Sequence, residues 1–419
     1  MTSRWRWLLL QLSRRLWIRA TLFSVLAVAT ALIGVVLAPA VPSGLSASIG
    51  ADAIDDILNI LAVSMLTVTT FSLNVMVSAY SAVTNSATPR AASLLRDDVT
   101  TQNVLGTFIG SFLFSLVGII ALSAGVYGEP GRLALFVVTI GVIVLIVATL
   151  LRWIDYLNSL GRVSETIQRV ENATLEALVP RVEKPYLGAR PLQDTHVPPT
   201  AEPIYSPAVG YVQHIDMDAL SACADECDGQ IFVEALPGTF VDPARPIARV
   251  HGTTGENVTG RIAKAFAVGN ERSFDQDPRF GLCVLAEIAS RALSPAVNDP
   301  GTAIDVVGRA ERILLQWSPP RPHPKNEPDY PSVWIPPLST EDLYDDVFTP
   351  IARDGASMFE VQVRLQKALW ALFTAGDASV RRAATAQSEH SLERAEQALS
   401  LDFEKERVRT IAVRLAAET

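Results

Sequence analysis

The chain has 419 residues, 49% of them hydrophobic, a formal net charge of −9 and three cysteines. That length accommodates two or three domains, and the acidic balance excludes the basic surface that nucleic-acid binding requires. Cys223, Cys227 and Cys283 carry no disulfide framework and suit a reducing compartment.

Apolar residues and charge are unevenly spread. Residues 1–154 hold nine Lys and Arg against six Asp and Glu, net +3, and residues 155–419 hold 26 against 38, net −12. The apolar runs concentrate in the first part, where four reach the roughly 20 residues needed to cross a bilayer. They lie at about residues 20–40, 57–83, 104–126 and 133–151. Ala38-Pro39-Ala40 resembles a signal-cleavage site, but the apolar run before it is too long for a signal core, so an uncleaved anchor is expected. Five arginines precede the first run, Arg90 and Arg96 lie between the second and third, and Arg152 follows the fourth. The loop 41–56 has no Lys or Arg, and the loop 127–132 has only Arg132. The positive-inside rule therefore places both termini in the cytoplasm.

The second run is unusually polar. Ser64, Thr67, Thr70, Asn74, Ser78, Ser81 and Asn85 recur at intervals of three and four, which follows one helix face. Thr69, Ser72 and Thr84 lie off that stripe, where hydroxyls bond back to the preceding turn. Asn74 needs a partner in another helix, another subunit or water. Two readings stay open: a helix-packing face, or the wall of an aqueous or ion-conducting path. The third run carries its own packing signature, Gly106-x-x-x-Gly110 continued by Ser111, Ser115 and Gly118. None of the four cores holds an ionisable residue, which disfavours a proton-coupled carrier.

Residues 155–180 keep helical spacing and read as a helix leaving the membrane; a proline-containing linker follows. VGYVQHI and QIFVEA alternate like strands around a short helix, and Pro237-Gly238 marks a turn before another strand; together they suggest a small half-barrel core. Cys223-x-x-x-Cys227 and the dispersed histidines His196, His214, His251, His323 and His390 complete no zinc spacing.

The segment from Gly269, GNERSFDQDPRFGLCVLAEIASRALSPAVNDPGTAIDVVGRAERIL, contains two helix starts of one design, Asp277-Pro278 and Asp299-Pro300. Glu271, Asp275, Asp277, Asn298 and Asp299 do not make one metal site in a hairpin, because the two starts stand at opposite ends of a helix, about 24 Å apart. Arg272, Asp275, Gln276, Arg279, Asn298 and Asp299 are either scaffold polar groups or a small-ligand or subunit contact. Residues 317–339 are proline-rich and read as a rigid linker. Helices are expected over 341–351, 357–373, 378–399 and 403–415.

TPRAASLLRDDVTTQNVLGTFIGSF, after the second run, resembles the signature of a bacterial membrane-protein family known as domain of unknown function 2254. Thr88-Pro89-Arg90, Leu94, Asp98, Gln102, Leu105-Gly106 and Phe108 match its pattern, with Thr88 replacing the usual serine and Leu95 near the family's aromatic. ERSFDQDPRFG and RALSPAVNDPGTA match too. The resemblance implies a four-span inner-membrane protein with a cytoplasmic domain and no established activity. In the inner loop it singles out Pro89, Arg90, Asp98, Gln102 and Gly106. Arg90 anchors to phosphates, pairs with an aspartate or lines an inner vestibule.

The expected fold class is an integral membrane α-helical unit of four transmembrane helices (1–154), followed by a cytoplasmic α+β domain with a helical C-terminal part. Its divisions are a helix and linker (155–200), the α+β domain (201–316), the proline-rich linker (317–339) and a helical region (340–419). The partners are the lipid bilayer, further copies in a homo-oligomer, and an ion or small-molecule ligand; no nucleic acid, metal or cofactor is assigned. One functional reading is a channel-like or permeation protein of the bacterial cytoplasmic membrane. The other is a membrane-tethered scaffold or sensor. An enzyme ranks last, because the chain has no G-x-S-x-G, H-E-x-x-H or P-loop.

Overall fold

The computed structural model describes residues 16–36, 51–96, 98–127, 129–192, 197–253, 255–317 and 327–417. Internal contacts divide the chain into two units. One comprises the described parts of Leu8–Asn85 and Ala92–Glu165, the other Ser86–Ala91 and the described parts of Thr166–Thr419.

The first unit is built from α1 (Leu16–Val36), α2 (Ala51–Ser86), most of the short α3 (Pro89–Arg96), α4 (Val99–Ser123) and α5 (Glu129–Leu157). Three stretches, Ala53–Ser86, Val99–Ser123 and Gly131–Leu157, are long and apolar enough to cross a membrane. Residues 37–40 of the expected first span lie outside the described residues. α4 is the most enclosed, with 61% of its apolar window buried against 28% and 17% for the other two. Its small residues explain this. A Cβ on Gly106 would meet the Phe23 ring at 2.9 Å, one on Gly110 the Phe23 carbonyl oxygen at 3.1 Å, and one on Gly118 the Leu58 side chain at 3.1 Å. Among lipid-embedded helices such close approach supplies the dispersion energy that the hydrophobic effect supplies in water. Ile54, Leu58 and Met65 of α2 pack into the same interior, with Phe108 and Phe114 of α4 and Leu135 and Ile146 of α5. α4 stops at Ser123, short of the expected 126, as Gly125 adopts φ +69.

The helix expected to run on from residue 155 is two helices. α5 ends at Leu157, and α6 (Val163–Glu183) starts after a turn in which Gly161 has φ +86. In the second unit α6 is followed by β1 (Ala189–Pro191), β2 (Glu202–Tyr205), β3 (Gly210–Ile215), α7 (Met217–Glu226), β4 (Gln230–Val233), β5 (Phe240–Val241), β6 (Pro246–His251), α8 (Glu256–Ala265) and β7 (Phe266–Gly269). Then come α9 (Pro278–Ala292), α10 (Pro300–Gln316), β8 (Tyr330–Ile335), α11 (Thr340–Asp354), α12 (Phe359–Ala375), α13 (Ala378–Ala398) and α14 (Asp402–Ala417).

The strands do not close into a half-barrel. They form a five-stranded sheet, β1-β8-β4-β6-β2, and a separate three-stranded sheet, β5-β3-β7. The reason is pairing: β3 runs antiparallel to β7, whereas β4 lies between β6 and β8. The proline-rich stretch expected as a linker thus contributes a strand. Val333 and Ile335 alternate into the core, and Pro331 sits near the strand's start, where a missing N–H is tolerated. Ile231, Val233, Ile247, Val250 and Val333 bury against Leu220 and Cys223 of α7 and Ile262 of α8. Cys223 and Cys227 are buried free thiols. In the helical part, Val361, Leu365, Leu369 and Leu372 form the buried stripe of α12.

Candidate functional site

Two polar-rich segments were singled out from the sequence, and the structure treats them differently. The first is the outer face of α2. Thr67, Thr70, Asn74, Ser78, Ser81 and Asn85 are exposed and Ser64 is half-buried. The opposite face, with Ile54, Leu58, Ala62, Met65, Thr69, Ser72, Ala79 and Val83, is the buried one. From Thr67 on, the polar stripe therefore faces away from the described interior of its own unit. Ser64, Thr67 and Thr70 donate to the carbonyls of Leu61, Val63 and Leu66 at 3.2, 2.9 and 3.0 Å. Thr69 and Thr84 do the same to Met65 and Tyr80 at 2.6 and 2.8 Å. Such bonds leave a hydroxyl satisfied without any neighbouring helix. Asn74 has no such route, and no described residue bonds to its amide. Ser72 departs from the expected pattern. Its Oγ is fully buried and has no hydrogen-bond partner among the described residues.

The inner-loop motif follows α2 directly. Thr88 accepts from Ala91 N at 3.1 Å, so Thr88-Pro89 restarts the helix as cap and first residue of α3. Asp98 caps α4 by accepting from Thr101 N at 2.7 Å; Gln102 is fully buried, and Gly106 lies under Phe23. Arg90 hydrogen-bonds and ion-pairs with Glu287 of α9, within the second unit. The sequence reading missed Glu287, which is a charged position between the inward-facing Val284 and Ile288 and looks like ordinary solvent-facing acid.

The second polar segment precedes α9. Asp277 is 2% exposed and caps the helix through Phe280 N at 3.2 Å. Arg272 grips the same carboxylate at both oxygens, 2.8 and 3.0 Å, lies over the Phe280 ring and reaches Cys283 Sγ at 3.6 Å. Burial opposes the Arg272 charge, but the Asp277 carboxylate holds the guanidinium above its ordinary value. Burial pushes the Cys283 thiol up to about 11, so it is protonated at neutral pH. Asp275 accepts from Ser273 Oγ at 3.0 Å, and Gln276 Oε1 accepts from Ile215 N at 2.9 Å. Arg279 clamps α9 to α11 through both oxygens of Asp346, at 2.6 and 3.1 Å, and through Asp342. Asn298, at φ +51, closes the turn after α9, and Asp299 caps α10 through Thr302 N at 3.1 Å. The structure thus places Arg272, Asp275, Gln276 and Arg279 before or at the start of α9, and Asn298 and Asp299 beyond its other end. Among the described residues, no three His, Cys, Asp or Glu side chains gather as metal ligands.

One buried cation stands apart. Arg181 of α6 is 3% exposed, and its Nη1 has no hydrogen-bond partner among the described residues. Burial lowers its guanidinium to about 10.

Apolar helices of bilayer length, a close-packed glycine seam and a sheet-containing C-terminal region define a helical membrane protein. The chain belongs to the family described as predicted membrane protein (DUF2254), whose model matches residues 13–371. It is similar to uncharacterized proteins of Mycobacterium bovis and Mycobacterium tuberculosis, each 28% identical over 220 residues. Those matches cover 50% of this chain and 42% of the relative, so the chain spans less than half the length of these relatives. No solved structure matches.

Proposed function

We propose that the protein is a four-span protein of the bacterial cytoplasmic membrane with both termini in the cytoplasm. It assembles as a homo-oligomer in which the polar face of α2 meets water along a shared permeation path. The observation that carries this reading is the orientation of that face: Thr67, Thr70, Asn74, Ser78, Ser81 and Asn85 are exposed on the side opposite the packed one. A polar stripe through membrane depth needs an environment that the single chain does not supply. The sheet-containing region is then the regulatory or assembly part. α2 runs directly into Ser86–Ala91, where Arg90 pairs with Glu287, so a shift of α9 has a route to the end of α2.

A scaffold or sensor without conduction is favoured by a different observation. Ser64, Thr67 and Thr70 spend their hydroxyls on their own backbone, which lets this part of the stripe face lipid at small cost. Asn74 separates the two. Wild-type protein in liposomes should pass small ions, and Asn74→Leu should change that flux. Absent wild-type flux, or a flux indifferent to Asn74→Leu, defeats the permeation reading and leaves the scaffold. Cross-linking between cysteines placed at Asn74 tests the assembly separately.

A further inference from the structure

Two loops of the second unit repeat one design. Ser206-Pro207-Ala208-Val209 joins β2 to β3, and Asp242-Pro243-Ala244-Arg245 joins β5 to β6. In each, the first side chain accepts from the backbone N–H two residues on: Ser206 Oγ from Ala208 N at 3.2 Å, and Asp242 Oδ1 from Ala244 N at 2.8 Å. The proline between them fixes φ, so both turns are held by their own residues. Strand register brings the loops side by side. Tyr205 of β2 lies opposite Pro246 of β6, and Gly210 of β3 opposite Val241 of β5. Both loops therefore pass between the two sheets at the same corner.

That corner is apolar and open. Pro207, Ala208, Pro243 and Ala244 are exposed, and Tyr205, Val209 and Phe240 flank them at 45, 56 and 46% exposure. A water-facing surface commonly scatters such side chains singly; here two preset turns gather them. Asp242 and Arg245, the only charged residues of the two loops, pair with each other at 3.1 Å. The tip thus offers apolar surface rather than an excess of charge. Gly210 fixes its base: at φ +155, a Cβ there would stand 2.4 Å from the Gly269 carbonyl oxygen.

Chain connectivity says what covers the tip. Ser86–Ala91, the end of α2 and the start of α3, belongs to this same unit, and Arg90 there pairs with Glu287. The Glu287 carboxylate chiefly holds the Arg90 guanidinium above its ordinary value, and Tyr211 is among the groups near enough to add to it. Tyr211 in turn meets Phe240 edge-on, with ring centroids 5.1 Å apart. One tyrosine therefore links the tip to the point where the chain leaves a helix of membrane-crossing length. Aromatic rings with one polar end, as in Tyr205 and Tyr211, and a long stem such as that of Arg245 are the side chains that settle at headgroup depth.

We propose that loops 206–209 and 242–245, with Phe240, dip into the bilayer surface from which α2 emerges and anchor the sheet-containing unit to lipid. The partner is the headgroup–acyl boundary of the membrane itself. Such a contact needs α2 to cross the bilayer; it needs neither conduction nor assembly.

The test uses the full-length chain in nanodiscs. Cys283→Ser removes the half-buried thiol and Cys223 and Cys227 are buried, so a nitroxide attaches at Val209→Cys or, as a control, at the exposed Glu389→Cys of α13. Power-saturation EPR compares collisions with oxygen, which concentrates in lipid, and with a water-soluble nickel chelate. The label at position 209 should lie about 5–10 Å below the lipid phosphates. That depth should survive high salt, because the contact is apolar. The label at position 389 should stay open to nickel. Phe240→Ser, at a residue already exposed, should melt in detergent as the parent does and return the label at 209 toward water. The anchor is overturned by a label at 209 that is open to nickel, by equal lipid contact at 389, by a depth lost in salt, or by a depth indifferent to Phe240→Ser. A label at 209 shielded from both reagents, in detergent as in nanodiscs, also overturns it and gives the tip to protein instead. Flux does not enter this readout, so its failure and that of the permeation reading are separable.

Discussion

The segment before α9 and the outer face of α2 are both rich in polar side chains, yet one is closed and the other open. Arg272, Asp277, Gln276 and Arg279 all spend their hydrogen bonds inside the second unit. In the stripe of α2, Ser64, Thr67 and Thr70 spend their bonds on their own backbone, and Asn74 bonds to none of the described residues. Polar density alone therefore does not mark a site. What marks one is polar density that the fold leaves unsatisfied.

The largest expected effect tests the closed region. Asp277→Ala strips the cap of α9 and leaves the Arg272 guanidinium, 21% exposed, without its carboxylate. Breaking a buried pair in this way should cost about 3–5 kcal/mol, read as a lowered denaturation midpoint of the full chain in detergent. A loss below about 1 kcal/mol would reopen this segment as a ligand site.

Glu171 extends the same logic to α6. Its carboxylate, 4% exposed, accepts from Arg309 at 2.8 Å and from Arg312 at 2.8 and 2.9 Å. Burial opposes its charge, yet the hydrogen bonds from Arg312 and Arg309 hold the carboxyl below its ordinary value. A depressed folded value means that the stabilisation is present above the unfolded value of about 4.3 and is lost as pH falls through the folded one. The stability gap between wild type and Glu171→Gln should therefore be constant near neutrality and narrow below about pH 4. A gap that widens on acidification would contradict the pairing.

Gly110→Leu tests the packed face of the membrane unit. The added side chain meets the Phe23 backbone and should cost about 1–3 kcal/mol, seen as a lower melting temperature of the detergent-solubilised monomer. Asn74→Leu should be the smallest on the same measurement, within about 0.5 kcal/mol, because the exposed side chain bonds to none of the described residues. If Asn74→Leu destabilises as much as Gly110→Leu, the two faces are not different in kind.

Much of this contrast was legible in the sequence. The stripe of α2 and the glycine seam of α4 are periodic, and period is what sequence displays best. The Asp-Pro starts of α9 and α10 announced themselves because cap chemistry is local. What the stripe faces was not legible, since a helix face and its neighbour are set by tertiary packing. The long-range partners were hidden for the same reason: Glu287 for Arg90, Asp346 for Arg279, and Arg309 with Arg312 for Glu171. β8 was obscured by prolines, although Val333 and Ile335 kept strand alternation.

The back-bonded hydroxyls of α2 also bear on how the protein is made. A nascent span is handed to lipid as a lone helix and finds its neighbours afterwards. Thr67, Thr69 and Thr70 carry their hydrogen-bond partners with them, four residues back in the same helix. These three threonines therefore add little to the cost of insertion. The amide of Asn74 has no such partner among the described residues, and so gives a solitary α2 in lipid a reason to seek company.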